Sequence, residues 1–378
     1  MRILLHALGV ASGGSIRHLT NFLPELGKQD NQREYVVLVR NSFPAFQLAK
    51  NIRMERVPDS QASGWMSRII NDNIKLSGRL KREKFDIVVS LANFGPVSSP
   101  VPHILFQMNA LYFCGQYLSR IGWREKVEIT LRRYLAVETM KRADLIVTPS
   151  NAMAEMIKEF CPSLNKKSFH TLYHGFKKDV LRKQPLDEEY TRQLSIKGLK
   201  LLYPTYLFPY KGFEVLFEIL ACLKRDNVDF TLFATITQED WPEGMRRCRK
   251  QVRELGLDNH VVFMGRIPQW QIGALYEQCD LMIYPSFCES FGFSMIEAIG
   301  YGLPIVASET AINKEICGEC AVYYPPKDFK AGAEAVKRAL RPEMLRKIAD
   351  AGRKRLNSFD WSWQRYVREF IEMIEDIT

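Results

Sequence analysis

Short apolar runs alternate with stretches of helical period along the whole chain. Residues 2–9 read as a buried strand, a glycine-bearing loop follows at 11–15, and Ile16, Leu19, Phe22, Leu23 and Leu26 then recur on one helix face. Further strands are expected at 35–39, 85–91, 102–107 and 144–148. A charged, weakly apolar stretch at 177–197, with Pro185 and the run Asp187-Glu188-Glu189, interrupts the rhythm and reads as a linker. Beyond it the alternation resumes, with strands at 201–203, 230–234, 261–264, 281–284, 305–307 and 321–324 and a closing helix at 361–377. Such alternation predicts an α/β chain of two doubly wound parallel sheets, residues 1–185 forming the first domain and 186–360 the second. The last helix, 361–378, is expected to return to the first domain. In such sheets ligands bind at the carboxyl ends of the strands.

One unit stands out, from Leu281 to Ser308: an apolar strand stopped by Pro285, a polar turn, a helix, and a second apolar strand after Gly302 and Pro304. Ser290, Gly292 and Ser294 make the helix entrance tight and open to close backbone approach, and the N–H groups of a first helical turn can hold an anion. Glu289 lies just before this turn and Glu297 about one turn into the helix. A carboxylate repels phosphate, so hydroxyl-rich groups on either side of a bound diphosphate are their natural partners. Earlier in the same domain, Thr205-Tyr-Leu-Phe-Pro-Tyr-Lys-Gly212 follows a strand and leads into a helix, so Lys211 overlooks the strand ends as a flexible cation suited to a diphosphate. Gly13-Gly14 is the matching loop of the first domain. It lacks the G-x-G-x-x-G dinucleotide fingerprint, and taken alone it serves equally as a plain tight turn.

Composition narrows the picture. The 378 residues suffice for two cores. No run of 18 apolar residues occurs and the first apolar run contains His6, so neither a membrane span nor a signal peptide is expected, and a cytoplasmic protein is. The eight cysteines are scattered, which suits reduced thiols; Cys317-Gly-Glu-Cys320 has no second pair or histidine pair at zinc spacing. Charge is uneven: residues 1–185 hold 28 Lys and Arg against 15 Asp and Glu, the remainder 25 against 28. A helical stretch at 115–142 carries Arg120, Arg124, Lys126, Arg132, Arg133, Lys141 and Arg142 among Tyr117, Trp123 and Tyr134, the composition of a helix that rests on anionic lipid as well as of an ordinary solvated surface.

Together these motifs resemble the retaining, nucleotide-sugar-dependent glycosyltransferases of family 4, which have the GT-B fold. The likeness is specific at Glu289 and Glu297, separated by seven residues, with Phe291-Gly292 inside and Glu297-Ala298 and Gly302-Leu-Pro304 after. Weaker likeness covers Gly13-Gly14, residues 143–150, Tyr173-His-Gly175, Lys211-Gly212, residues 263–265 and Phe359-Asp-Trp361. The resemblance implies two Rossmann-like domains facing across a cleft and transfer of a hexosyl group from a UDP- or GDP-sugar. Lys211 would hold the donor diphosphate, Glu289 contact the transferred sugar and Glu297 take the ribose hydroxyls. Gly292, Phe293 and Ser294 would cap the diphosphate, Gly13 and Gly14 approach it, and Arg266 and Ile267 lie where the base rests. Two positions depart from the pattern. Tyr206 stands where an arginine is common, leaving Arg266 or Arg17 to supply that charge, and Gln107 stands where a histidine is common, leaving Gln107 or Asn109 to contact sugar or acceptor.

The implied partners are the donor, a lipid-linked or oligosaccharide acceptor of polysaccharide or lipopolysaccharide assembly, and an anionic membrane surface at the inner face of the plasma membrane; no nucleic acid is expected. No Asp-x-Asp occurs, so no divalent metal and no cofactor is expected. A glycosidase would need two carboxylates facing each other across a bond, which one loop and its helix supply poorly. A non-catalytic sugar-nucleotide-binding protein and a GT-B epimerase are the remaining alternatives.

Overall fold

A computed structural model describes residues 1–10, 13–62, 72, 75–177 and 184–378. Residues 11–12 of the first glycine loop and 178–183 of the expected linker lie outside the described residues. The chain forms two compact units, Met1–Gly175 with Trp361–Thr378, and Phe176–Asp360.

The first unit is built on β1 (Arg2–His6), β2 (Glu34–Arg40), β3 (Ile52–Val57), β4 (Ile87–Ser90), β5 (His103–Phe106), β6 (Leu145–Thr148) and β7 (Phe169–Thr171). Among the described residues they make one parallel sheet in the order β3-β2-β1-β4-β5-β6-β7. Leu4 of β1 pairs with Val36 on one side and Val88 on the other, and all three join Leu8, Leu38, Leu80 and Phe85 in one buried cluster. The second unit has β8 (Leu199–Tyr203), β9 (Phe230–Ala234), β10 (Val261–Phe263), β11 (Leu281–Tyr284), β12 (Ile305–Ser308) and β13 (Ala321–Tyr324), parallel in the order β10-β9-β8-β11-β12-β13. β9, β11 and β12 are buried at every position, as strands covered on both faces must be.

Three features differ from the sequence expectation. β3 and β7 are additional strands, and both lie at sheet edges. β3 reads Ile-Arg-Met-Glu-Arg-Val, half polar because one side of an edge strand meets water. The division between the units falls at Gly175 and Phe176, ten residues before the expected 185. Phe176 belongs to the second unit because its ring lies against Gly300, where a Cβ would come within 2.4 Å of it.

The last helix, Trp363–Glu375, returns to the first unit and packs on the helix Gly13–Gln29. His18 Nε2 lies 2.6 Å from the Tyr366 hydroxyl, and Phe22 meets Phe370 edge to face at 4.8 Å between centroids. Gly175 is required here because a Cβ would sit 2.6 Å from the Trp363 ring. Buried Arg365 pairs with Glu369 at 2.8 Å and donates to the Tyr173 carbonyl. The segment Tyr173-His-Gly175 therefore holds the returning helix.

Burial lowers the imidazole pKa of His18 and of His103 to about 3 and that of His174 well below its ordinary value, with the Arg17 and Arg365 charges adding to the effect at His174. Their unfolded pKa is about 6.5, so between that value and the folded pKa the unfolded chain binds more protons. Stability from these groups is complete above pH 6.5 and is lost as pH falls. Each contributes a slope approaching about 1.4 kcal/mol per pH unit. Denaturant unfolding at pH 7.5, 6.0 and 5.0 is expected to show this loss in a range where carboxylates barely titrate, and His18→Phe is expected to make the slope shallower by one proton. An equal slope in the variant would show that His18 is not buried neutral.

Candidate active site

In the second unit the connections leave β8 and β11, which are neighbours, toward opposite edges of the sheet, so the loops after them open a crevice at their carboxyl ends. After β8 the chain makes a short 3-10 turn, Pro209–Lys211, and reverses at Gly212, whose φ of +72° is left-handed. No side chain fits at Gly212, since a Cβ would lie 2.5 Å from the Pro285 carbonyl oxygen. After β11 the loop 285–292 is tied to the same turn: Phe287 N–H donates to the Tyr210 carbonyl at 3.2 Å and the Ser286 hydroxyl donates to it at 3.3 Å. The Tyr203 hydroxyl donates to the Lys211 carbonyl at 2.7 Å.

These ties bring together two residues 78 positions apart. Lys211 Nζ lies 2.6 Å from Glu289 Oε1, with each side chain 11% exposed. The Lys211 ammonium is 5.0 Å from the centroid of the Tyr210 ring and 6.0 Å from that of Tyr284. Burial and the neighbouring Glu289 carboxylate push the Tyr284 hydroxyl well above its ordinary pKa, so it stays protonated as a donor.

The loop then enters the helix Phe293–Tyr301 through Gly292, at φ +87°. The N-cap residue Gly292 has no side chain to cap this helix, and the positive end of its dipole is directed toward the loop that carries Glu289. Phe293 and Ser294 form its half-buried first turn. Glu297, a turn further on, is 2% exposed, and its Oε2 accepts from the Tyr276 hydroxyl at 2.8 Å. Tyr276 in turn stacks on Tyr301.

Past β10, Gly265 turns the chain at φ +79° and exposes Arg266, with Ile267 half-buried behind it. Arg266 Nη2 donates to Asp240 Oδ1 at 2.8 Å, and its guanidinium lies 5.5 Å from the Tyr206 ring centroid. The Asp240 side chain is buried, and its other oxygen accepts from the N–H groups of Leu207 and Thr237 at 3.1 and 3.3 Å. One carboxylate thereby joins the loops after β8, β9 and β10.

The remaining expected residues lie in the first unit. Gly13, at φ +55°, and Gly14 begin the helix that follows β1, beside the point where β1 and β4 send their connections to opposite edges. Gln107 is fully buried at the end of β5 and donates to the Asn109 carbonyl at 3.3 Å. Asn109 Oδ1 caps a short turn by accepting from Leu111 N–H at 3.0 Å. Both amides thus hold local structure. Cys317 and Cys320 are buried, the Cys317 thiol 3.4 Å from Met295 Sδ, and burial pushes the Cys320 thiol up to about 11.

Asp240, Tyr276 and Tyr284 escaped the sequence reading. Asp240 alone carried a signal, as an acid just past the Thr235-Ile-Thr237 end of a buried strand.

The family model described as glycosyl transferases group 1 matches residues 187–355, within the second unit. Among curated proteins, the O-antigen chain mannosyltransferase B of Escherichia coli is 26% identical over 170 residues, which are 45% of this chain and only 37% of that protein. Among solved structures, sucrose-phosphate synthase from Thermosynechococcus elongatus superposes with a TM-score of 0.77 at 17% identity, over 100% of this chain and 98% of that one. Anabaena HepE, solved with UDP and glucose, superposes with a TM-score of 0.72 at 16% identity, over 99% of both chains. These likenesses show a GT-B fold.

Proposed function

We propose that this chain is a glycosyltransferase that moves a hexosyl group, with retention, from a UDP- or GDP-sugar to a hydroxyl of a lipid-linked or oligosaccharide acceptor. The observation that carries this reading is the ion pair of Lys211 with Glu289, set at the entrance of a helix between adjacent strand ends. A cation, a carboxylate and a positive helix end in one crevice suit a molecule with a diphosphate beside a polyol, which is what a nucleotide sugar is. The group 1 family match over this unit and the mannosyltransferase relative support the same class; UDP and glucose bound to a protein of the same fold support the donor type.

In this reading Lys211 and the first turn at Gly292, Phe293 and Ser294 take the diphosphate. Glu289 accepts from hydroxyls of the sugar, Glu297 meets the ribose, and Arg266 and Ile267 border the base. The acceptor oxygen bonds to the anomeric carbon as the bond from that carbon to the diphosphate oxygen breaks on the same face. The acceptor's proton passes to the departing phosphate oxygen, and the nucleoside diphosphate leaves. Lys211 and the helix end neutralise the charge that grows there, so no divalent ion is needed.

A thermal-shift series with UDP- and GDP-sugars identifies the donor, since a ligand bound only by the native state raises the midpoint. Release of nucleoside diphosphate with a panel of acceptors, in the presence of a chelator, then tests transfer. Tight donor binding with no transfer to any acceptor would favour a binding protein, and sugar conversion without acceptor an epimerase.

A further inference from the structure

The helix Trp123–Arg142 in the first unit is apolar on two opposite faces. Ile129, Ala136 and Met140 point inward and are buried. Trp123, Val127, Leu131 and Tyr134 all face solvent, Trp123 being 72% and Tyr134 63% exposed. At 3.6 residues per turn these four fall within about 80° of arc, opposite the buried set. They are four of the ten large apolar side chains exposed among the described residues, so the clustering is not the ordinary scatter of a surface.

The rim of this stripe is positive. The helix has six basic and three acidic residues, and each acid is engaged. Glu125 accepts from the Tyr117 hydroxyl at 2.5 Å, Glu128 pairs with Arg132, and Glu138 pairs with Lys141 at 2.7 Å. Arg133, which the sequence suggests as part of a basic patch with Arg132, turns inward, its guanidinium 4.6 Å from the Phe160 ring centroid. The outward charge is instead that of Arg124, which lies over the Trp123 ring at 5.3 Å, together with exposed Lys126 and Arg142.

We propose that this face docks on an anionic lipid bilayer, with the four apolar side chains entering the headgroup boundary and the basic residues meeting lipid phosphates. An apolar crown with arginine and lysine at its rim is how a helix lies in a membrane interface. Trp and Tyr at the two ends of the stripe suit the same depth. Charge selects lipid over a second copy of the chain, because two such faces in contact would set Arg124, Lys126 and Arg142 against their own counterparts. Among the described residues no helix is long and apolar enough to cross a membrane, so the contact is interfacial. The inference rests on the helix alone and gives the lipid-linked acceptor of the proposed transfer a surface to arrive on.

Sedimentation of the full chain with phosphatidylcholine vesicles, with and without 30% phosphatidylglycerol, tests it. Binding is expected to anionic vesicles only and to weaken with salt. Val127→Glu with Leu131→Glu, and separately Arg124→Glu with Lys126→Glu, are expected to reduce it at least tenfold. All four side chains are exposed, so the fold should persist, and an unchanged melting curve checks this. Anionic vesicle binding by the variants equal to the parent's would overturn the proposal, as would no vesicle binding by the parent. A parent dimer that Val127→Glu with Leu131→Glu dissociates would also overturn it, in favour of a second copy. None of these readouts requires sugar transfer, so an inactive but vesicle-binding chain would count against the transferase reading alone.

Discussion

Replacing Lys211 by Ala is expected to lower sugar transfer about 10²–10³-fold, the loss seen when one preorganised group that stabilises developing charge is removed. Lys211 is held for that task from both ends. Its carbonyl accepts from Tyr203, and Gly212 behind it sits where no other residue fits against Pro285. Its ammonium is nearly enclosed, so it acts in a medium where its field is weakly screened. The substitution also leaves Glu289 unpaired where a diphosphate would arrive, and affinity for the nucleoside diphosphate should fall with turnover. Loss of the pair costs at most about 3–5 kcal/mol of stability, the range for a buried pair with one partner removed. Lys211→Arg is expected to recover only part of the activity, because a planar guanidinium does not occupy the place of a point charge. Turnover measured beside calorimetric UDP and GDP binding decides the matter, and turnover close to the parent's would remove Lys211 from the chemistry.

How far such a site can be read from the sequence depends on the separation of its parts. The unit around Glu289 and Glu297 is local, and its bounding strand at 281–284 coincides with β11 because four apolar residues meet a proline stop. β9 and β13 also coincide with their expected spans, β9 being buried throughout and β13 an apolar run that ends at Pro325. The strands β3 and β7 do not, since polar residues interrupt β3 and β7 has only three residues, Phe-His-Thr, so neither presents an apolar run. The pairing of Lys211 with Glu289 was beyond reach, because it depends on β8 and β11 being neighbours, a fact of strand order and not of spacing. Asp240 is of the same kind: it binds together three loops that meet only in the folded sheet. The helix Trp123–Arg142 hid its outward stripe because apolar residues on two opposite faces cancel any single helical period. Gln107 and Asn109 could be named from the sequence but their hydrogen bonds could not, since the partners of an amide depend on the fold.

The pairing also separates binding from transfer at Glu289. In the ion pair the carboxylate holds the ammonium that a diphosphate must claim, so donor binding competes with Glu289 for Lys211. Glu289→Gln keeps the side chain's shape and an acceptor oxygen but drops the charge. Affinity for UDP or GDP alone is therefore expected to stay the same or to tighten, while transfer falls at least about 10²-fold through loss of the charge facing the sugar. A residue that merely held the loop in place would lose both together. In the double variant Lys211→Ala with Glu289→Gln, the losses in transfer should not add, because each single change already breaks the same unit. Two results would go against this account: transfer by Glu289→Gln within a few-fold of the parent, or a loss of nucleotide affinity as large as the loss of transfer.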